Sequence, residues 1–107
     1  MNYKLLIAYD VKEHALEDYY RFVITEFLPS ASRLGLTMIE GWQTIYGDYP
    51  SRLIVFVAKD DKILQKALES NRWISIETKL DRFVEHYEKR VIKFKAGFQF
   101  FKPKSKS

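Results

Sequence analysis

The residues best suited to chemistry gather on one expected hairpin. Leu36–Tyr46 reads as a strand, Gly47-Asp48-Tyr49-Pro50 as a turn, and Ser51–Ala58 as the returning strand. A register pairing Tyr46 with Arg52 and Trp42 with Phe56 puts Glu40, Trp42, Thr44, Tyr46, Arg52, Ile54 and Phe56 on one face. Ile39, Gly41, Gln43, Ile45, Leu53, Val55 and Val57 then face the other way, as a surface for helices. Apolar walls with a few convergent polar groups are what a small-molecule pocket needs, and the first set has them. Arg52 would clamp a carboxylate or another anion, Trp42 would stack a planar ligand, and Glu40 would act as a base. The plainer alternative is that Trp42 and Phe56 fill a dimer interface and Glu40 pairs with a basic residue of the partner.

Other candidates are sparser. There are two histidines and no cysteine. Thiol nucleophiles, disulfides and cysteine-held metals are therefore excluded, and two isolated histidines do not make a metal site. His14 sits among Lys12, Glu13 and Glu17 and reads as solvated. His86 falls beside Arg82, Lys89 and Lys93 on an expected helix, a basic surface stripe with a general base as the sharper reading. Of the seven tyrosines, Tyr19 and Tyr20 are adjacent on the first helix and so point in different directions; a tyrosine hydroxyl is a good orienting group in an apolar cavity. Asn71 explains itself as a helix cap. No glycine-rich phosphate loop or nucleophile motif is present, and no motif requires a cofactor.

These residues need a scaffold, and the hydrophobic pattern supplies one. Tyr3–Asp10 reads as a central strand. From Glu13, Leu16, Tyr19, Tyr20, Val23, Phe27, Ala31 and Leu34 recur at helical spacing, with Pro29 forecasting a kink or break near Leu28 and Gly35 closing the segment. Asp60 and Asp61 offer caps for a helix to about Glu69, and Ser70-Asn71 interrupts it. Trp73, Ile76, Leu80, Phe83, Val84, Tyr87, Val91 and Phe94 then predict one long helix ending before Gly97, and Phe98–Phe101 a last strand. The order βαββαβ, joined through the hairpin, predicts an α+β ferredoxin-like sandwich with a four-stranded antiparallel sheet. Residues 1–101 form one domain and 102–107 a basic tail.

This order, the length and the two-sided hairpin resemble the dimeric α/β-barrel superfamily, which includes antibiotic-biosynthesis-type monooxygenases, NIPSNAP-like and EthD-like proteins. The resemblance covers residues 3 to about 101. It implies two subunits packed sheet to sheet, each half-barrel holding a small pocket, and a first helix that flanks the barrel, which makes Tyr20 the pocket neighbour among the tyrosines. It also implies either ligand binding without turnover or a cofactor-free monooxygenase or isomerase acting on a small aromatic or planar compound, with Glu40 or His86 as base. Topology carries fold more than chemistry.

Bulk composition agrees with such a domain. The chain has 107 residues, 47% of them hydrophobic, enough for one real core. Its net charge of +4 invites a nucleic-acid reading. Lys102, Lys104 and Lys106 supply three of those charges, however, and the body carries 15 basic against 14 acidic residues. A folded basic patch is thus missing, and no nucleic-acid partner is expected. Apolar runs are far short of a membrane span, and the N-terminus lacks a secretion pattern, so the expected compartment is the cytoplasm.

Overall fold

The computed structural model describes residues 2–43 and 52–94. Four strands, β1 (Asn2–Val11), β2 (Thr37–Gln43), β3 (Arg52–Ala58) and β4 (Val84–Phe94), form one antiparallel sheet in the order β2-β3-β1-β4. The leucine- and isoleucine-rich β1 lies between β3 and β4, as its composition predicts. Leu5, Ile7 and Tyr9 alternate into the core, while Lys4, Leu6 and Ala8 face the other way. Phe27 ties the layers together. Its ring lies 5.6 Å from that of Trp73 and 6.2 Å from that of Phe56.

The first helical segment runs through α1 (Leu16–Phe22), a π-turn (Val23–Phe27) and α2 (Leu28–Arg33). Near Leu28, where a kink or break is expected from Pro29, the helix carries this wider turn and continues. In a regular α-helix the proline ring would press on the Thr25 carbonyl, and the π-turn relieves that contact without ending the helix. Gly35, at φ +91°, closes α2. Its N–H bonds the Ser32 carbonyl and the Leu36 N–H bonds the Ala31 carbonyl, the paired pattern of a left-handed helix end. Two capped helices follow β3. Asp60 caps α3 (Asp61–Glu69) by accepting from the Ile63 N–H at 2.9 Å, and Ser70 caps α4 (Asn71–Leu80) by accepting from Trp73 N–H at 3.1 Å.

The expected long helix from Trp73 to Phe94 ends at Leu80; Val84–Phe94 is β4. A bulge explains the misreading. The β1–β4 register shifts between Ala8↔Glu88 and Asp10↔Glu85, leaving an extra residue on β4. Val84 and Tyr87, both turned to the core, are thereby three residues apart rather than two, a helix-like spacing inside a strand. Phe98–Phe101 and the tail lie outside the described residues.

Candidate functional site

Among the described residues, the helices cover one face of the sheet and leave the other open. On that open face Leu6 lies between Val55 and Arg90, and Ala8 between Leu53 and Glu88. Leu6, Ala8, Leu53, Glu88 and Arg90 line a cradle of about 170 Å³. Trp42 is paired with Leu53, so it stands on the same face, 59% exposed, and its Nε1 donates to Glu40 Oε2 at 3.3 Å. Among the described residues no ion pair engages Glu88 or Arg90. The floor is apolar, one wall offers a guanidinium and a carboxylate two residues apart, and an indole stands at the side.

The expected single-face grouping does not form. Trp42 pairs with Leu53 rather than Phe56, and Arg52 with Gln43 rather than Tyr46. A bulge between Met38 and Glu40 accompanies the new register. Even-numbered residues of β2 beyond it therefore pair with odd-numbered residues of β3. Glu40 and Trp42 share the open face with Val55 and Leu53. Arg52, Ile54 and Phe56 face the helices, opposite Tyr9, Ile7 and Leu5. Phe56 is 1% exposed and belongs to the core, not to a ligand wall. Leu53, Val55 and Val57, expected against helices, are on the open side. The core of β1 places large side chains opposite residues 52, 54 and 56, and that matching selects the parity. Thr44 and Tyr46 lie outside the described residues.

On the helix side, Arg52 enters a cluster of tyrosines. Its Nη2 donates to Tyr20 Oη at 2.6 Å, and its guanidinium carbon lies 5.8 Å and 5.4 Å from the ring centres of Tyr19 and Tyr20. Tyr9 and Tyr19 share a buried hydroxyl–hydroxyl hydrogen bond of 2.7 Å. Tyr87 stacks on Tyr9 at 6.2 Å and donates to Glu77 Oε2 at 2.7 Å, a carboxylate that also accepts from Lys89 Nζ at 2.9 Å. Burial pushes the Tyr9 phenol far above the ordinary tyrosine range. The same cause raises Tyr19, with Arg52 opposing it, and raises Tyr87, where the bond to Glu77 adds to it. All three phenols are thereby held neutral, with Tyr87 donating to Glu77 and Tyr9 and Tyr19 sharing one hydrogen bond. The structure thus brings Tyr20 and Arg52 together, as a site there would need, but separates both from Trp42 and Glu40.

The remaining candidates are placed as follows. His14 is exposed in the turn Glu13–Ala15. Asn71 is exposed at the start of α4, whereas Trp73 is fully buried, its Nε1 without a hydrogen-bond partner among the described residues. His86 is not on a helix stripe. It is in the β4 bulge with φ +59°, and its Nδ1 lies 2.9 Å from Asp10 Oδ2. Sequence reasoning missed Glu88, Arg90 and this pairing because it made their segment a helix. The adjacent β-branched residues Val91-Ile92 are the signal that favours a strand there.

No family model matches the sequence, and no curated protein matches it. Solved structures do. A NIPSNAP family protein from Agrobacterium tumefaciens superposes with a TM-score of 0.66 at 15% identity, over 91% of this chain and 96% of the other. A candidate antibiotic biosynthesis monooxygenase from Nitrosomonas europaea superposes with a TM-score of 0.65 at 14% identity, over 90% and 92%. A Bacteroides thetaiotaomicron protein of unknown function, described as a possible oxidoreductase, gives 0.67 at 11% identity, over 87% and 97%. At such identities the likeness concerns the backbone, and the backbone order β2-β3-β1-β4 with helices on one face is what it matches. This chain therefore has the ferredoxin-like fold of the NIPSNAP and antibiotic-biosynthesis-monooxygenase structures.

Proposed function

We propose that this protein binds a small planar, anionic molecule on the open face of its sheet, and that a second copy of the chain closes the site. The observation that carries the reading is the cradle: an apolar floor of Leu6, Ala8 and Leu53 beside Arg90 and Glu88. Arg90 matches a carboxylate or another planar anion, and Glu88 accepts from a hydroxyl or amine on the same ligand. Trp42 gives a stacking surface at the side. A face of this kind, with Trp42 and Ile92 also standing out into water, gains from being covered. A second sheet laid against it supplies the missing wall, which is the dimeric-barrel arrangement the resemblance implies. Ligand binding is the primary reading. An oxygenase role draws support from the likeness to the candidate Nitrosomonas monooxygenase and the possible Bacteroides oxidoreductase; an isomerase role is the other catalytic alternative.

Native mass spectrometry of protein purified from cells, beside a denatured sample, tests this. The expected result is a dimer carrying a reproducible small-molecule adduct that is released on denaturation. Arg90→Ala should remove the adduct and leave the dimer, whereas Arg52→Ala, on the opposite face, should not affect the adduct. A monomer sinks the closed site; an adduct that survives Arg90→Ala sinks the cradle.

A further inference from the structure

We propose that His86 and Asp10 form a proton-accepting pair at the end of the cradle, with His86 Nε2 as a general base toward a bound ligand. The inference rests on the cradle being a binding site. Three observations converge on it. Asp10 stands one pleat beyond Ala8 on β1, so it shares the open face with a residue of the cradle floor, while Tyr9 between them turns into the core. The carboxylate lies 2.9 Å from His86 Nδ1. A carboxylate can only accept, so in the neutral ring Nδ1 carries the proton and Nε2 keeps its lone pair. Finally, His86 holds φ +59°, a left-handed backbone that is uncommon for any residue but glycine. Here it makes the bulge that lets one extra β4 residue reach back across to Asp10. Bulges beside sites re-aim side chains in just this way.

The pair is open to solvent, the side chains of His86 and Asp10 being 74% and 37% exposed, so Nε2 is accessible to a ligand lying on Ala8 and Glu88. Glu88, two residues after His86, lines the cradle, and the pair stands just beyond that lining, one pleat past Ala8. The chemistry assigned to the pair is abstraction of a proton from carbon or oxygen on the bound ligand. Asp10 is a positioning residue that holds the tautomer and faces the imidazolium once it forms.

The test uses 5-nitrobenzisoxazole, a planar probe whose only demand is a base. His86 Nε2 takes the ring C–H proton. The C–H electron pair completes the nitrile, the N–O bond breaks, and its pair leaves on oxygen as the coloured cyanonitrophenolate. Binding is read separately, from NMR shifts of the Leu6, Ala8 and Leu53 methyl groups. The expected result is saturable turnover that falls about 100-fold in His86→Asn, at the low end of what general bases contribute, with the methyl shifts retained. Asparagine tolerates the left-handed backbone and keeps an N–H for Asp10, so this variant should fold. Asp10→Asn should lower turnover and abolish the preference for the Nδ1–H tautomer in ¹⁵N spectra, a signature that loss of packing alone does not produce. Methyl shifts without turnover, or turnover unchanged in His86→Asn, overturn the pair and leave the cradle standing. Absence of methyl shifts overturns the cradle reading and the pair with it.

Discussion

Raising the pH past the phenol range should unfold this protein with a slope set by its buried tyrosines. Tyr9 and Tyr19 are 0% and 2% exposed and share one hydrogen bond; Tyr87 stacks on Tyr9 and donates to Glu77. All three have folded pKa values raised above that of a free phenol, about 10. Above that pH the unfolded chain releases protons that the native state retains. Native protein then binds more protons than unfolded protein, so stability is fully present below about pH 10 and falls above it. Each retained proton costs about 1.4 kcal/mol per pH unit. Tyr9 and Tyr19 together give about 2.7 kcal/mol per unit, and Tyr87 brings the slope to about 4. Each tyrosine adds to the slope only between the free-phenol pKa and its own raised folded pKa. A domain with about 5 kcal/mol of stability should therefore unfold roughly one to two units above pH 10. Urea melts across a pH series give the slope, and the share of near-ultraviolet phenolate absorbance that belongs to Tyr9, Tyr19 and Tyr87 should rise only with loss of circular dichroism. Tyr9→Phe and Tyr87→Phe should each flatten the slope by about 1.4 kcal/mol per unit. Fully ionised tyrosines in a chain that keeps its native circular dichroism would refute the reasoning, as would an unchanged slope in Tyr9→Phe.

Three further outcomes concern the scaffold. Gly35→Ala should cost about 2–3 kcal/mol in denaturant melts, because φ +91° disfavours a side chain and the added Cβ would meet Ile63 Cγ2 at 2.8 Å. In an Ile63→Ala background the penalty should shrink to the backbone part, about 1–2 kcal/mol; an equal loss in both backgrounds would show that the contact is harmless. Ser70→Ala should cost about 1 kcal/mol by removing the α4 cap, measured as a shift in urea midpoint at constant m. Tyr9→Phe and Tyr19→Phe should each cost about 1–2 kcal/mol at neutral pH. The double variant should cost clearly less than their sum, since it strands no hydroxyl; simple additivity would mean the 2.7 Å bond is unimportant.

The Tyr9–Tyr19 pair and the Trp42–Leu53 pairing show where legibility stopped. Alternation in β1, the helical stripe after Glu13, the caps at Asp60 and Ser70 and the glycine at 35 are local signals. Each is carried by a few adjacent side chains, so the sequence by itself determined most elements and, through their order, the ferredoxin-like fold. The site was another matter. Arg52–Ala58 is apolar on both faces, so its own residues do not say which side meets the helices. Parity was decided across strands, when Ile54 and Phe56 matched Ile7 and Leu5. A one-residue change of register exchanges every side chain between core and surface, and bulges at Ile39 and His86 make such a change twice. The bulge at His86 also gave a strand the spacing of a helix and concealed Glu88, Arg90 and the Asp10 contact. Pairing over long sequence separations is a property of the packed sheet, and only tertiary structure could decide which charged residues share the open face.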